Sequence, residues 1–156
     1  MTAGLHRDFL QLGASNALVR PGGVTMLGSP VDLALIDRDS YMVAGITDHI
    51  CPWQSCYRTT QLLAGHSRFV LSTSGHVAAM VNPPGNDKAR YQVAKECPDD
   101  PQEWLRRAET CQGSWWPDYA GWLAEHCGEE KAAPDELGGS GLAPICDAPG
   151  TYVYDH

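Results

Sequence analysis

The sequence predicts an α/β fold, a parallel sheet with flanking helices. Two observations predict it. Tyr41-Met42-Val43-Ala44-Gly45 is a short, nearly continuous apolar run closed by glycine, which suits a strand buried on both faces. Arg68-Phe69-Val70-Leu71-Ser72 is a second such run. Between them Trp53, Cys56, Tyr57, Thr60, Leu63 and Ala64 recur at helical spacing. A strand, a helix and a strand in that order give parallel strands joined by a right-handed crossover.

The remaining elements follow in chain order. Residues 2–12 predict a helix that buries Leu5, Phe9 and Leu12 and ends near Gly13. Asn16 to Gly23 is a loop, because Pro21, Gly22 and Gly23 break any regular run. Val24 to Leu27 is a short strand, and Pro30 to Asp39 a connection anchored by Val31, Leu33, Leu35 and Ile36. After Gly45 comes the loop Ile46 to Cys51. Pro52 suits the first position of a helix, and Gly65 can stop it. Thr73-Ser74-Gly75 is a turn leading into His76; Val77 to Val81 begins a helix that Asn82-Pro83-Pro84-Gly85 breaks. Asp100-Pro101-Gln102-Glu103 has the signature of a capped helix start, with Trp104, Leu105 and Ala108 as its apolar face. A last helix begins near Ser114, carries the stripe Trp115, Tyr119, Trp122 and Leu123, and ends at Gly128. Residues 1–128 are expected to form one domain portion and 129–156 an extended tail rich in glycine and proline.

Length and charge narrow the function. A chain of 156 residues suits one ordinary domain. Its formal charge of -8 argues against a nucleic-acid partner. The charge is uneven: residues 1–95 hold eight Lys/Arg and six Asp/Glu, and the remainder three and thirteen. An anionic substrate would therefore be met in the first part. No apolar run exceeds about six residues, far below the roughly 20 that cross a bilayer, so no transmembrane segment is expected. His6, Arg7, Asp8 and Arg20 interrupt the first 20 residues, so no secretory signal is expected either, and the default compartment is the cytoplasm. The six cysteines form no C-x-x-C pair, which fits reduced structural thiols; neither a metal nor another cofactor is expected.

The two strand-end loops carry the candidate chemistry. Parallel strands send both loops to the carboxyl edge of the sheet, where open α/β sheets place their sites. Asp48 lies in the first loop and His76 in the second. A carboxylate beside an imidazole fixes its tautomer and stabilises the imidazolium, so the histidine can accept a proton. Acid before histidine is also the order of an α/β-hydrolase triad. The alternative is an aspartate that caps the next helix and a loop histidine satisfied by backbone. His49 would shape the pocket beside Asp48. Trp53, with Trp115, Trp116 and Trp122, would either line an acyl pocket or pack in the core. Arg58, Arg68, Lys88 and Arg90 are solvated charges or contacts to an anion. A nucleophile elbow, G-x-S-x-G or its cysteine form, is not found; Ser140 in Gly138-Gly139-Ser140-Gly141 has the wrong spacing and no strand before it.

The stretch Tyr41-Met42-Val43-Ala44-Gly45-Ile46-Thr47-Asp48-His49-Ile50-Cys51-Pro52-Trp53-Gln54-Ser55-Cys56-Tyr57-Arg58 strongly resembles the carboxyl-terminal part of bacterial polyhydroxyalkanoate (PHA) synthases. So do Phe69 to His76, Val81-Asn82-Pro83-Pro84-Gly85-Asn86, Gly113-Ser114-Trp115-Trp116 and the ending Ala148 to Val153. The wording is most similar to synthases of medium-chain substrates. The resemblance implies the C-terminal portion of an α/β-hydrolase fold, an incomplete parallel sheet with flanking helices. It implies an acyltransferase that polymerises (R)-3-hydroxyacyl groups from coenzyme A thioesters into polyester and releases coenzyme A, at the surface of cytoplasmic polymer granules. It implies a Cys-Asp-His triad whose aspartate is Asp48 and whose histidine is His76, with the cysteine lacking a counterpart in this chain. Family members often have threonine where Cys51 stands, so Cys51 is not expected to be the nucleophile. Met1 matches the middle of the family's catalytic domain. The chain is accordingly expected to be a fragment, inactive alone, that self-associates or pairs with the rest of a synthase. The other readings are a non-catalytic module that binds granules or a synthase, and a hydrolase of thioesters or polyester using the same pair.

Overall fold

The computed structural model describes residues 1–135, 138–139 and 141–155. Two compact units are present, Met1–His126 and Cys127–His156. In the second unit the described residues include a 3-10 turn at Tyr152–Tyr154 and a bridge between Gly139 and Leu142. Ser140 lies outside the described residues. Among those residues no helix is long and apolar enough to cross a membrane.

The first unit is an α/β structure. Helix α1 (Ala3–Ser15) starts where the Thr2 hydroxyl accepts the Leu5 N–H, and stops at Asn16, which adopts a left-handed conformation. It is longer than expected, and it does not bury the predicted face: Leu5 and Phe9 are exposed. Periodicity marks which side of a helix is apolar but not what will cover it. Strand β1 (Val24–Met26) pairs antiparallel with β2 (Ser29–Val31), a strand absent from the sequence reading because it contains Pro30. Leu27 and Gly28, both at positive φ, close this hairpin, as a two-residue I′-type turn requires. An apolar hollow of about 610 Å³ lies between α1 and the hairpin, lined by Leu5, Phe9, Leu12, Val24, Met26 and Leu27 among others.

The main sheet positions the site. Strand β3 (Ser40–Gly45) pairs parallel with β4 (Ser67–Ser72), in the register Ala44 to Leu71 and Gly45 to Ser72. Between them the chain forms α2 (Trp53–Tyr57) and a 3-10 continuation, Arg58–Gln61. Gly65 does more than stop this helix. A Cβ there would stand 2.1 Å from the Arg38 carbonyl oxygen, so glycine lets the chain pass that backbone. Helix α3 (His76–Val81) follows β4 and begins at His76 itself, one residue earlier than expected. Strands β5 (Arg90–Val93) and β6 (Glu109–Gln112) extend the sheet with antiparallel pairings, giving the order β3-β4-β5-β6. The sheet is thus mixed, and its last two strands were not legible as strands. Helix α4 (Pro101–Arg107) lies between them and is capped as expected, Asp100 accepting the N–H groups of Gln102 and Glu103. Helix α5 (Trp116–His126) closes the unit.

Strand alternation splits the packing between two faces. Phe69 and Leu71 enter the core with Ala44, Trp53, Tyr57 and Trp104. Phe69 meets Tyr57 and Trp104 edge-on, each with ring centroids 5.0 Å apart, a favoured aromatic geometry. On β3 and β4, Tyr41 and Arg68 instead reach α5. The Arg68 guanidinium grips the Asp118 carboxylate with two bonds, 2.9 and 2.5 Å, and the Tyr41 hydroxyl donates to the same carboxylate at 2.7 Å. Burial alone would raise the Asp118 pKa, but the bonds from Arg68 and Tyr41 outweigh it and hold the carboxyl below its ordinary value.

Candidate functional site

The site forms where the ends of β3 and β4 meet the start of α3. Gly45, the last residue of β3, makes that meeting possible. A Cβ on Gly45 would stand 2.5 Å from the Ser74 carbonyl oxygen and 2.9 Å from the Ala79 Cβ. With hydrogen there instead, the Ile46 N–H reaches the Ser72 carbonyl at 2.9 Å, and the Thr47 N–H reaches Ser74 at 3.3 Å. The two loops are laced together before either presents a side chain. The far end of α3 is tied down as well. The Ser114 hydroxyl donates to the Asn82 carbonyl, and the indole N–H groups of Trp115 and Trp116 donate to Ala79 and Val81. Half of the predicted tryptophan set is therefore structural scaffolding for the helix that carries His76.

Asp48 and His76, 28 positions apart, are joined by a 2.7 Å hydrogen bond between Oδ2 and Nδ1. The other carboxylate oxygen of Asp48 accepts the backbone N–H groups of Ile50 and Cys51, both at 2.9 Å. Asp48 thus closes its own turn and partners His76. It does not cap α2, whose cap position is Pro52 with no side-chain cap bond, and His76 is held by the carboxylate and not by backbone, so the alternative reading is set aside. Its side chain is only 6% exposed, while that of His76 is 43% exposed. The Cys51 N–H contributes most to holding the Asp48 carboxyl below its ordinary pKa; burial opposes this, and the bonds from His76 and Ile50 add to it. An ionised carboxylate can only accept hydrogen bonds, so Nδ1 of His76 carries the proton. In the neutral ring the other nitrogen then holds a lone pair on the exposed side of the residue, the state a general base needs.

The other predicted residues fall elsewhere. His49 is exposed and stands outside this hydrogen-bonded group. Trp53 is 6% exposed and sits in the aromatic core against Tyr57, Phe69 and Trp104. Arg68 is committed to Asp118, and Arg90 donates to Gln112 at 3.1 Å. Lys88 borders a cavity of about 360 Å³ with a mixed lining, to which Thr73, Ser74, Val81 and Asn82 also contribute. One residue not proposed as a site residue joins the pair. Cys51 is exposed, and one ligand-capable atom each from Asp48, Cys51 and His76 lies within 4.8 Å of the others. No spacing rule flags this, because it depends on the turn that folds residues 48–51 back on the Asp48 carboxylate.

No family model matches the chain. It is similar over nearly its whole length to curated poly(3-hydroxyalkanoate) polymerases, as the motifs implied. It is 44% identical over 153 residues to poly(3-hydroxyalkanoate) polymerase 2 of Ectopseudomonas oleovorans, covering 98% of this chain and 27% of that protein. It is 43% identical over 155 residues to polymerase 1 of the same organism, covering 99% and 28%. Against the poly(3-hydroxyalkanoate) polymerase subunit PhaC of Cupriavidus necator the identity is 45% over 149 residues, covering 96% and 25%. The chain spans about a quarter of the length of the curated relatives it matches.

Proposed function

We propose that this chain, similar over almost its entire length to poly(3-hydroxyalkanoate) polymerases, carries the acid and the base of their acyl-transfer site. The observation that carries the reading is the 2.7 Å bond between Asp48 and His76, the two residues for which the resemblance implies the acid and the histidine of the family's triad. In this reading the nucleophilic thiol comes from the part of the relatives' length that the chain does not span. The free ring nitrogen of His76 takes the thiol proton. The thiolate attacks the carbonyl carbon of an (R)-3-hydroxyacyl-coenzyme A, and the carbon–sulfur bond to coenzyme A breaks. The imidazolium returns its proton to the departing coenzyme A thiolate. In the next step His76 deprotonates the 3-hydroxyl that attacks the acyl thioester, and the polyester grows by one unit. Asp48 holds the ring tautomer and stabilises the imidazolium throughout. The scheme needs no metal and no redox cofactor, and an apolar polyester product places the working enzyme at a polymer granule surface.

The test is a chimera. The matched quarter of the Ectopseudomonas oleovorans polymerase 2 is replaced by this chain, and coenzyme A release from (R)-3-hydroxyacyl-coenzyme A is followed together with polymer yield. Activity in the chimera that is lost on His76→Ala supports the reading. A folded chimera whose activity survives His76→Ala defeats it, and free hydroxy acid in place of polymer assigns the pair to hydrolysis.

A further inference from the structure

The turn that closes around the Asp48 carboxylate also sets a thiol near the histidine. Because Oδ1 of Asp48 accepts the N–H groups of both Ile50 and Cys51, residues 48–51 curl around the carboxylate, and Cys51 is set beside it. His76 arrives from the other loop, held by α3. The result is one oxygen, one sulfur and one nitrogen donor, all within 4.8 Å of one another, on a face where Cys51 and His76 are exposed. Zinc bonds of roughly 2.0–2.3 Å in a tetrahedron put neighbouring donors about 3.3–3.8 Å apart. The group is close to that spacing, and the exposed Cys51 and His76 side chains can supply the adjustment. The donor set selects among ions: oxygen-only ions such as Mg²⁺ and Ca²⁺ gain nothing from a thiol or an imidazole, whereas Zn²⁺ prefers such mixtures.

We propose that Asp48, Cys51 and His76 form a binding site for a thiophilic divalent cation of the Zn²⁺ type, with a fourth position open to water. Binding converts the Cys51 thiol to a thiolate, its proton passing to solvent, and the imidazole and carboxylate give lone pairs to the ion. The ring proton of His76 moves from Nδ1 to the other nitrogen, and the bond between Asp48 and His76 is then replaced by bonds from Nδ1 and the carboxylate to the metal. A consequence, which rests on the acyl-transfer reading, is that the ion and the general base compete for the same imidazole. The cation is an inhibitor that locks the pair. The binding itself does not depend on that reading.

The experiment titrates the whole chain, first stripped with a chelator, with Co²⁺ and then with Zn²⁺ in competition with a chromophoric chelator. One equivalent of Co²⁺ is expected to produce the charge-transfer absorption of a cobalt–thiolate bond, and Zn²⁺ to displace it. Cys51→Thr and Cys51→Ser are each expected to abolish that absorption and weaken Zn²⁺ binding by at least about 100-fold, since losing even a hydrogen-bond partner of a ligand costs a metal site up to that much. Cys127→Ser, which leaves the group intact but alters the neighbour of His126, is expected to change neither. Circular dichroism of the Cys51 variants matching the parent assigns the loss to the ligand. Absent stoichiometric binding, or absorption that persists without Cys51, overturns the site. Zinc binding without inhibition of the chimera leaves the site standing and removes the competition.

Discussion

Gly45 faces Ser74 so closely that a single added Cβ would stand 2.5 Å from the Ser74 carbonyl oxygen. The neighbour on that side is backbone, and the Ala79 Cβ blocks retreat at 2.9 Å. Gly45→Ala therefore overpacks the junction. It should lower stability by about 1–3 kcal/mol, the usual range for forced methylenes in packed sites. Chemical denaturation measures this. Because the same junction sets Asp48 against His76, the imidazole proton bonded to Asp48 should also change its NMR position in the variant.

Asp48→Asn separates the two duties of the carboxylate. An amide oxygen can still accept the N–H groups of Ile50 and Cys51, so the turn survives. The amide nitrogen then faces Nδ1 of His76 and donates to it, which moves the ring proton to the other nitrogen. His76 then has no lone pair on its open face, which on the acyl-transfer reading removes the base. Activity of the chimera should fall by about 10⁴-fold with little change in melting temperature, as a wrong-tautomer defect does. A large fall in melting temperature with an unchanged ring tautomer would assign Asp48 a role in the turn alone.

The pairing of Asp48 with His76 was legible because two parallel strands aim their following loops at one edge, and the apolar runs at residues 41–45 and 68–72 marked those strands. The capped start at Asp100 was legible because capping is a local matter of side-chain and backbone hydrogen bonds. Strands β5 and β6 were not. Arg90-Tyr91-Gln92-Val93 and Glu109-Thr110-Cys111-Gln112 carry too few apolar residues to announce a buried face. They are strands because β4 offers an edge, and β5 then offers another. The exposure of α1 has the converse cause: its apolar periodicity is real, but the β1-β2 hairpin faces it across a hollow and does not pack closely enough to bury Leu5 and Phe9. Cys51 was missed because its place beside His76 arises from one side chain folding its own loop.

The clamp between Arg68 and Asp118 makes a prediction about acid. The Asp118 carboxyl sits below its ordinary pKa of 3.8 in the folded chain. As pH falls, the unfolded chain takes up that proton first. The stabilisation is therefore complete above the ordinary carboxylate value and is lost as pH falls through the folded one. Asp118→Asn should remove part of the acid limb of the stability profile. It should also cost about 2 kcal/mol at neutral pH, less than a fully enclosed pair because the Arg68 side chain keeps 30% exposure. Replacing all three partners, Arg68→Met with Asp118→Leu and Tyr41→Phe, should cost less than Asp118→Asn alone, since neither the cation nor the hydroxyl is left without its partner.

His126 predicts the opposite sign. Its Nδ1 lies 2.7 Å from the Trp122 carbonyl and its Nε2 lies 3.2 Å from Asp39. Two acceptors, one on each nitrogen, call for a proton on both, and the ring stacks on Trp122 with centroids 4.1 Å apart. The Trp122 carbonyl first, and Asp39 after it, raise the imidazole pKa above 6.5, while Asp39 falls below its own ordinary value chiefly through its bond to His126. For a base whose folded pKa is raised, the folded state holds the proton longer as pH climbs. The contribution is whole below 6.5 and disappears as pH rises through the folded value. The end of α5 should thus loosen from the start of β3 in mild alkali. Denaturation midpoints measured from pH 5.5 to 9 should decline across that window in the parent chain and stay flat over it in His126→Gln, which keeps a donor but does not titrate. An equal decline in both proteins would place the titrating group elsewhere.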